Sequence, residues 1–310
     1  MDWPRLSIRR SATASPQRVR MHHIPCADAF KPPVAVGGIG GSGTRLIAGL
    51  LRDAGVFMGE DLNVSNDLLW FTLLFKYEHV CDLSNDRFDW LTRILTAGLT
   101  GGARLDAGSR DQVMKLACEA RPDQPTELLK DAADSLVAAA ARPAHGRRWG
   151  WKEPNTHVVI ERLWRHLPDL RYVHVVRHGV DMAFSGNQNQ LALWGPRVLG
   201  SDGDASPPRS LRYWCKVHRR LQALLTANPQ RMYWLDYDEF CRNPEEGFEH
   251  LRRFLALPAA AVPDLSAVRK PGESRHASRG PSGFASADLA YVSSLGYRIA
   301  WQERAVECDA

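Results

Sequence analysis

The stretch Val34-Ala35-Val36-Gly37-Gly38-Ile39-Gly40-Gly41-Ser42-Gly43-Thr44-Arg45 constrains the fold more than any other part of this chain. A short apolar, partly β-branched run reads as a buried strand. A glycine-rich turn follows. Arg45 to Ala54 then reads as a helix, with Leu46, Leu50 and Leu51 on one face and Gly55 as its stop. Strand, turn and helix in this order open a parallel α/β sheet. Glycines let the backbone bend tightly and turn several N–H groups inward, and the helix adds its own unpaired N–H groups and positive end. Ser42 and Thr44 add hydroxyl donors, and Arg45 adds a guanidinium fork. The segment reads as an anion-binding loop or as a plain tight turn. It is not a Walker A motif, because Gly43-Thr44-Arg45 stands where Lys and then Ser or Thr are required. An acidic residue at Glu60 or Asp61 leaves dinucleotide binding open.

The remaining sequence supports one large α/β domain over residues 33–310, preceded by an N-terminal arm over 1–32 that is rich in Arg, Ser and Pro and reads as poorly ordered. Residues 60–80 carry an aromatic patch, Trp70, Phe71, Phe75 and Tyr77, at helical spacing. Residues 85–145 read as packed helices and form a helical insertion. Trp149 to Pro154 restarts the sheet pattern, and Val158 to Leu167 reads as a helix. Tyr172 to Val176 is the strongest strand signal. A helix is expected from Val180 through Leu193, a loop from Gly195 to Pro208, and a helix from Leu211 to Thr226. A strand is expected over Met232 to Leu235, then helices from Pro244 to Leu255 and Leu289 to Gly296.

A net charge of +5 on 310 residues, with both signs interspersed, suits a small anionic ligand and provides no stripe for nucleic acid. The six cysteines are scattered without a CxxC pair and read as free thiols in a reducing compartment. No signal peptide or membrane span is expected, and the expected location is cytoplasmic.

Two further segments carry charge at strand ends. Arg177 follows the strongest strand, on the edge where ligands of open α/β sheets gather, and Ser185 is placed about two helical turns later. The pair suits one phosphate; equally, Arg177 can pair with Asp181 and leave Ser185 in solvent. Lys152 lies in Trp149-Gly150-Trp151-Lys152-Glu153-Pro154. It reads either as a cation held against a transferring anion or as an exposed lysine paired with Glu153.

Taken in order along the chain, these residues resemble the sulfotransferases that use 3′-phosphoadenosine 5′-phosphosulfate (PAPS), bacterial in type, with features of the tyrosylprotein and carbohydrate branches. Gly40-Gly41-Ser42-Gly43-Thr44 stands where that family has Pro-Lys/Arg-Ser-Gly-Thr. Arg177 and Ser185 match its strand-end Arg and later Ser, with His178-Gly179 replacing Asp-Pro. Leu235-Asp236-Tyr237-Asp238-Glu239-Phe240 is similar to its Tyr-Glu-Asp-Leu segment. The resemblance implies a P-loop-type parallel sheet flanked by helices. It also implies sulfuryl transfer to a hydroxyl or amine of a small-molecule, carbohydrate or peptide acceptor, with release of adenosine 3′,5′-bisphosphate (PAP) and no metal. It assigns Gly40, Gly41, Ser42, Gly43, Thr44 and Arg45 to the 5′-phosphosulfate, Arg177 and Ser185 to the 3′-phosphate, and Arg269, Lys270 and Arg275 to a closing loop. It assigns Lys152 to the departing phosphate and Glu60 or Asp61, in Gly59-Glu60-Asp61, to the base. Gly41 replaces the loop's usual cation, and Arg45 is the candidate to restore it. A P-loop kinase or NTPase, and a non-catalytic nucleotide-binding domain, are the alternatives. The aromatic residues Trp70, Phe71, Phe75, Tyr77, Trp194 and Trp214 are either core or acceptor pocket.

Overall fold

The structure, a computed structural model, describes residues 31–119, 121, 124–272, 276–280 and 283–301. Apart from Lys31 and Pro32, the expected N-terminal arm lies outside the described residues, as do Cys26, Cys308 and Arg275. From Pro32 onward the described residues form one compact unit.

Four strands build one parallel sheet: β1 (Val34–Gly38), β2 (Gly150–Lys152), β3 (Arg171–Val176) and β4 (Met232–Asp236), in the order β2-β1-β3-β4. Val36 pairs with Lys152 on one side and Val173 on the other, and Val176 pairs with Asp236. β1 is buried along its whole length, as a parallel strand covered on both faces requires. Alternation sorts its side chains. Val34 and Val36, with Val173 and Val175 of β3, face α1 (Thr44–Asp53) and a later helix of the chain, Pro244–Leu255. Ala35, with Trp151 and Tyr172, faces the larger helical layer.

That larger layer includes the insertion between β1 and β2. It holds α2 (Leu69–Phe75), α3 (Asn85–Thr100), α4 (Ala107–Cys118) and α5 (Thr126–Ala140). Small residues allow close approach here: a Cβ on Gly98 of α3 would overlap the Leu136 side chain of α5. Trp70, Phe71 and Phe75 are buried, as are Trp194 and Trp214. These aromatics are core, with Tyr77 partly buried at its margin.

The chain continues through α6 (Thr156–His166), α7 (Gly179–Ala183), α8 (Asn189–Leu199), α9 (Pro207–Ala227), α10 (Tyr237–Arg242), α11 (Pro244–Leu255) and α12 (Ser286–Ser294). The helix expected from Val180 through Leu193 is two helices with a break at 184–188. Polar side chains cause the break by bonding nearby backbone in place of the helical ladder. Gln188 Nε2 donates to Met182 O (3.2 Å) and Ser185 O (2.8 Å), and Ser185 Oγ accepts from Asn187 N (3.2 Å). The loop expected from Gly195 begins only at Gly200. α8 runs through Pro196 and ends on Gly200 in the left-handed region (φ 78°), with Trp194 buried and Arg197 forked onto Asp82 (2.6 and 3.0 Å).

Beneath the sheet, three histidines occupy the core. His157 of α6, His174 of β3 and His218 of α9 are 2 % exposed or less. The His174 ring lies 6.1 Å from that of His157 and 5.2 Å from that of His218. Burial pushes His157 and His218 down to about 3 and His174 well below the ordinary imidazole value, so all three are neutral. Gln190 lies 3.3 Å from His157 Nε2 and donates to Gly38 O (3.0 Å), so this cluster supports the end of β1. The four described cysteines, Cys81, Cys118, Cys215 and Cys241, are free thiols. Among the described residues no helix is long and apolar enough to cross a membrane.

Candidate functional site

Between β1 and α1 the chain turns sharply. Gly41 (φ 91°) and Gly43 (φ 100°) take left-handed conformations, and Gly43 is the N-cap of α1. Only Ser42 N, which donates to Ile39 O (3.0 Å), spends its amide within the turn. Among the described residues the N–H groups of Gly40, Gly41, Gly43, Thr44 and Arg45 have no acceptor. Ser42 is 1 % exposed, and its Oγ also lacks a partner. Gly41 and Arg45 are exposed, so their amides are open to solvent or a ligand, whereas Ser42 Oγ is a buried polar group without a partner among the described residues.

The second strand end is brought against this loop. A Cβ on Gly43 would overlap the ring of Tyr237, and that ring lies 5.2 Å beneath the Arg177 guanidinium. Arg177 Nε is 3.6 Å from Asp238 Oδ1, too long for a hydrogen bond, and neither atom has another partner among the described residues. Burial raises the Asp238 carboxyl, with Arg177 opposing. Ser185 sits in the break after α7 rather than on a helix, and its hydroxyl lies 3.4 Å from where a Gly41 Cβ would stand. Asn187 packs the same way against Gly40 (3.1 Å). The side chain missing at Gly41 therefore leaves the Ser185 hydroxyl uncovered.

Lys152 ends β2 and is 2 % exposed. Its ammonium donates to Ser65 O (3.0 Å) and forms an ion pair with Asp67. Glu153 is not its partner: its oxygens accept from Asn155 N (2.6 Å) and Asn155 Nδ2 (2.8 Å). Burial pushes Glu153 up to about 7, with Asp67 adding to the rise and Lys76 opposing it. Arg45 is exposed and donates to Ser65 Oγ (2.8 Å), so both cations of this region meet one residue.

Glu60 and Asp61 are held elsewhere. Glu60 pairs with Arg142 at the surface, and Asp61 Oδ2 accepts from Ser135 Oγ of α5 (2.5 Å). Asp67 stands at Lys152 instead. The Asn63-Val-Ser-Asn-Asp67 run, dense in turn-forming side chains, was the available signal for it.

A cavity of about 450 Å³ opens at the ends of β3 and β4, between Arg177, Asp181, Asp236, Asp238 and Tyr297, with Pro271 and Gly272 of the expected closing loop on its wall. Arg269 and Lys270 are exposed, and Arg269 folds back onto its own backbone at Ser266 and Val268. The segment is fastened further on. His276 donates to Asp181 from both its amide (2.9 Å) and Nδ1 (2.8 Å), its Nε2 accepts from Ala300 N (3.1 Å), and its ring stacks on His178 at 4.5 Å. His178 Nε2 in turn donates to Arg298 O (2.9 Å). His178, Asp181 and His276 lie close enough to share a metal ion, but their nitrogens are already spent on these bonds.

The solved structures that this chain resembles include the sulfotransferase domain from the curacin biosynthetic pathway (14% identity, 87% of this chain and 99% of that one, TM-score 0.47). They also include the sulfotransferase domain of the Synechococcus PCC 7002 olefin synthase (16%, 88% and 98%, TM-score 0.48) and a sulfotransferase from Alicyclobacillus acidocaldarius (16%, 86% and 96%, TM-score 0.45). No curated protein sequence matches it. The model of the sulfotransferase family matches residues 32–261, most of the chain and all of the sheet, and by that match the chain belongs to the sulfotransferase family.

Proposed function

We propose that this sulfotransferase draws on PAPS and transfers the sulfuryl group to a hydroxyl or amine of a small-molecule, carbohydrate or peptide acceptor, releasing PAP. The observation that carries this reading is the turn at 39–45. Five N–H groups without acceptors and the unpartnered, buried Ser42 hydroxyl fit a doubly charged 5′-phosphosulfate, and two left-handed glycines keep the approach open. When bound, PAPS supplies an electrophilic sulfur and a phosphate leaving group.

The chain's own groups position and neutralise charge. The turn's N–H groups, Ser42 and Thr44 hold the 5′ end. Lys152 meets the charge that collects on the phosphate oxygen as its bond to sulfur breaks, and Arg45 adds a second positive charge from the rim, where Gly41 supplies none. Arg177 and Ser185 hold the 3′-phosphate, and the segment at 269–272 borders the nucleotide. As the acceptor oxygen bonds to sulfur, its proton passes to the Asp67 carboxylate. Asp67 takes this role over Glu60 and Asp61 because it is the carboxylate in contact with Lys152, while the others are bound to Arg142 and Ser135. Free thiols at the four described cysteines fit a reducing, cytoplasmic setting.

Titration calorimetry against PAP, ATP and NAD tests the donor. Binding of PAP with no heat from ATP or NAD is the expected result. Preference for ATP would overturn the reading in favour of a nucleotide kinase or NTPase.

A further inference from the structure

The residues between Leu62 and Leu68 form a small excursion pinned to the end of β2. Leu62 and Leu68 pair as an isolated antiparallel bridge, and Leu68 N donates to Lys152 O (2.8 Å). Asn63 organises the interior. Its Oδ1 accepts from Ser65 N (2.8 Å) and Asp67 N (3.0 Å), its Nδ2 donates to Asp67 Oδ2 (3.0 Å), and its own N donates to Asp67 O (3.1 Å). The Asp67 carboxylate is thereby aimed before any ligand arrives. Asn66 (φ 61°) contacts α1 through Arg45 O and Arg52, each at 3.4 Å.

This preformed turn occupies the cations that the proposed chemistry needs. Asp67 and Ser65 O hold Lys152, and Ser65 Oγ holds Arg45. Lysine carries a compact charge on a flexible four-carbon stem, so its ammonium can change seats while the backbone stays still. The geometry points to a two-seat lysine: without donor, the 63–67 turn holds Lys152 in an internal seat on Asp67, and the donor's 5′ anion must draw the ammonium away from that seat. This inference rests on the donor reading above. It makes Asp67 a competitor for the donor. Drawing the ammonium off Asp67 also frees a carboxylate lone pair, so Asp67 becomes a proton acceptor only when donor is in place. Lys152, which neutralises Asp67 in the empty site, is the group that couples the two events.

The test is a double-mutant cycle on PAP affinity, read by calorimetry in wild type, Asp67→Asn, Lys152→Ala and the double variant. Asp67→Asn keeps the shape of the turn and removes the competing charge. Its expected effect is PAP binding tighter by about tenfold, the scale of one released ion-pair coupling. In the Lys152→Ala background the same substitution should gain several-fold less, because no ammonium is left to release. Asp67→Ser, which also removes the carboxylate, should act in the same direction and guards against a local effect of the amide. Equal gains in the two backgrounds would reduce Asp67 to a through-space charge and overturn the inference, as would unchanged affinity in Asp67→Asn. A wild-type protein that binds no PAP at all would refute the donor reading itself, and the inference with it.

Discussion

Lowering the pH from 7 to 5 should destabilise this fold, and three buried imidazoles are the main cause. In the unfolded chain each histidine protonates near its ordinary value of 6.5, whereas in the folded chain His157 and His218 stay neutral to about 3 and His174 is held well below 6.5. Between those values the unfolded state binds more protons, so stability falls as pH falls. His157 and His218 each contribute about 2 kcal/mol of loss between pH 7 and 5, and His174 adds to the loss in the same direction. Glu153 works the other way. Its folded value of about 7 lies above its ordinary 4.5, so over the same interval the folded state takes up its proton and regains about 2 kcal/mol. His157 and His218 together outweigh Glu153 by about 2 kcal/mol, and His174 deepens the loss further, against a typical total of about 5–15 kcal/mol. Urea unfolding at pH 7, 6 and 5 measures it as a falling midpoint at constant slope. His218→Phe removes one titrating ring and should shrink the loss by about 2 kcal/mol. Equal stability at pH 5 and pH 7 would refute the placement of these rings as neutral core. Because Gln190 links His157 to Gly38 O, the end of β1 should loosen first, and PAP affinity should decline at higher pH than global unfolding.

Three substitutions probe the site directly. Lys152→Ala should lower turnover by about 10²–10³-fold while PAP binding persists, and wild-type rates would remove Lys152 from the transfer step. Arg177→Ala should weaken PAP by about tenfold or more in calorimetry and leave adenosine 5′-phosphate nearly unaffected; equal losses for both ligands would reject its place at the 3′-phosphate. Gly43→Ala should cost about 1–2 kcal/mol of stability from its φ of 100° alone, and more from overlap with Tyr237. It should also abolish PAP binding, and Gly43→Ala/Tyr237→Ala should recover part of the stability in thermal melts.

Much of this molecule was legible before folding. The strand–glycine–helix order at 34–54, the strand at 172–176 and the helix at 244–255 are local signals, set by β-branching, by glycine freedom and by proline at a helix start. The break at 184–188 had a local signal in Ser185-Gly186-Asn187, a breaker sequence that the expected helix ran through, and the bonds of Ser185 and Gln188 to nearby backbone complete the stop. The run of α8 through Pro196 was hidden, because tertiary packing of Trp194 and the Arg197–Asp82 fork override a local breaker.

The sequence by itself determined the type of sheet, the glycine-rich turn and the identity of the strand-end cations Lys152 and Arg177, because each depends on residues adjacent in the chain. Only the tertiary structure decided who stands beside them. Asp67 reaches Lys152 across 85 positions, and Asp61, in the expected place for a base, is turned to Ser135 across 74. Contacts of this kind follow from where distant segments pack, and packing depends on the whole apolar pattern at once. Gly41 makes the same point. In sequence it is a missing cation, while in space it stands beside the Ser185 hydroxyl, and the cations nearby, Lys152 and Arg45, are both held by Ser65.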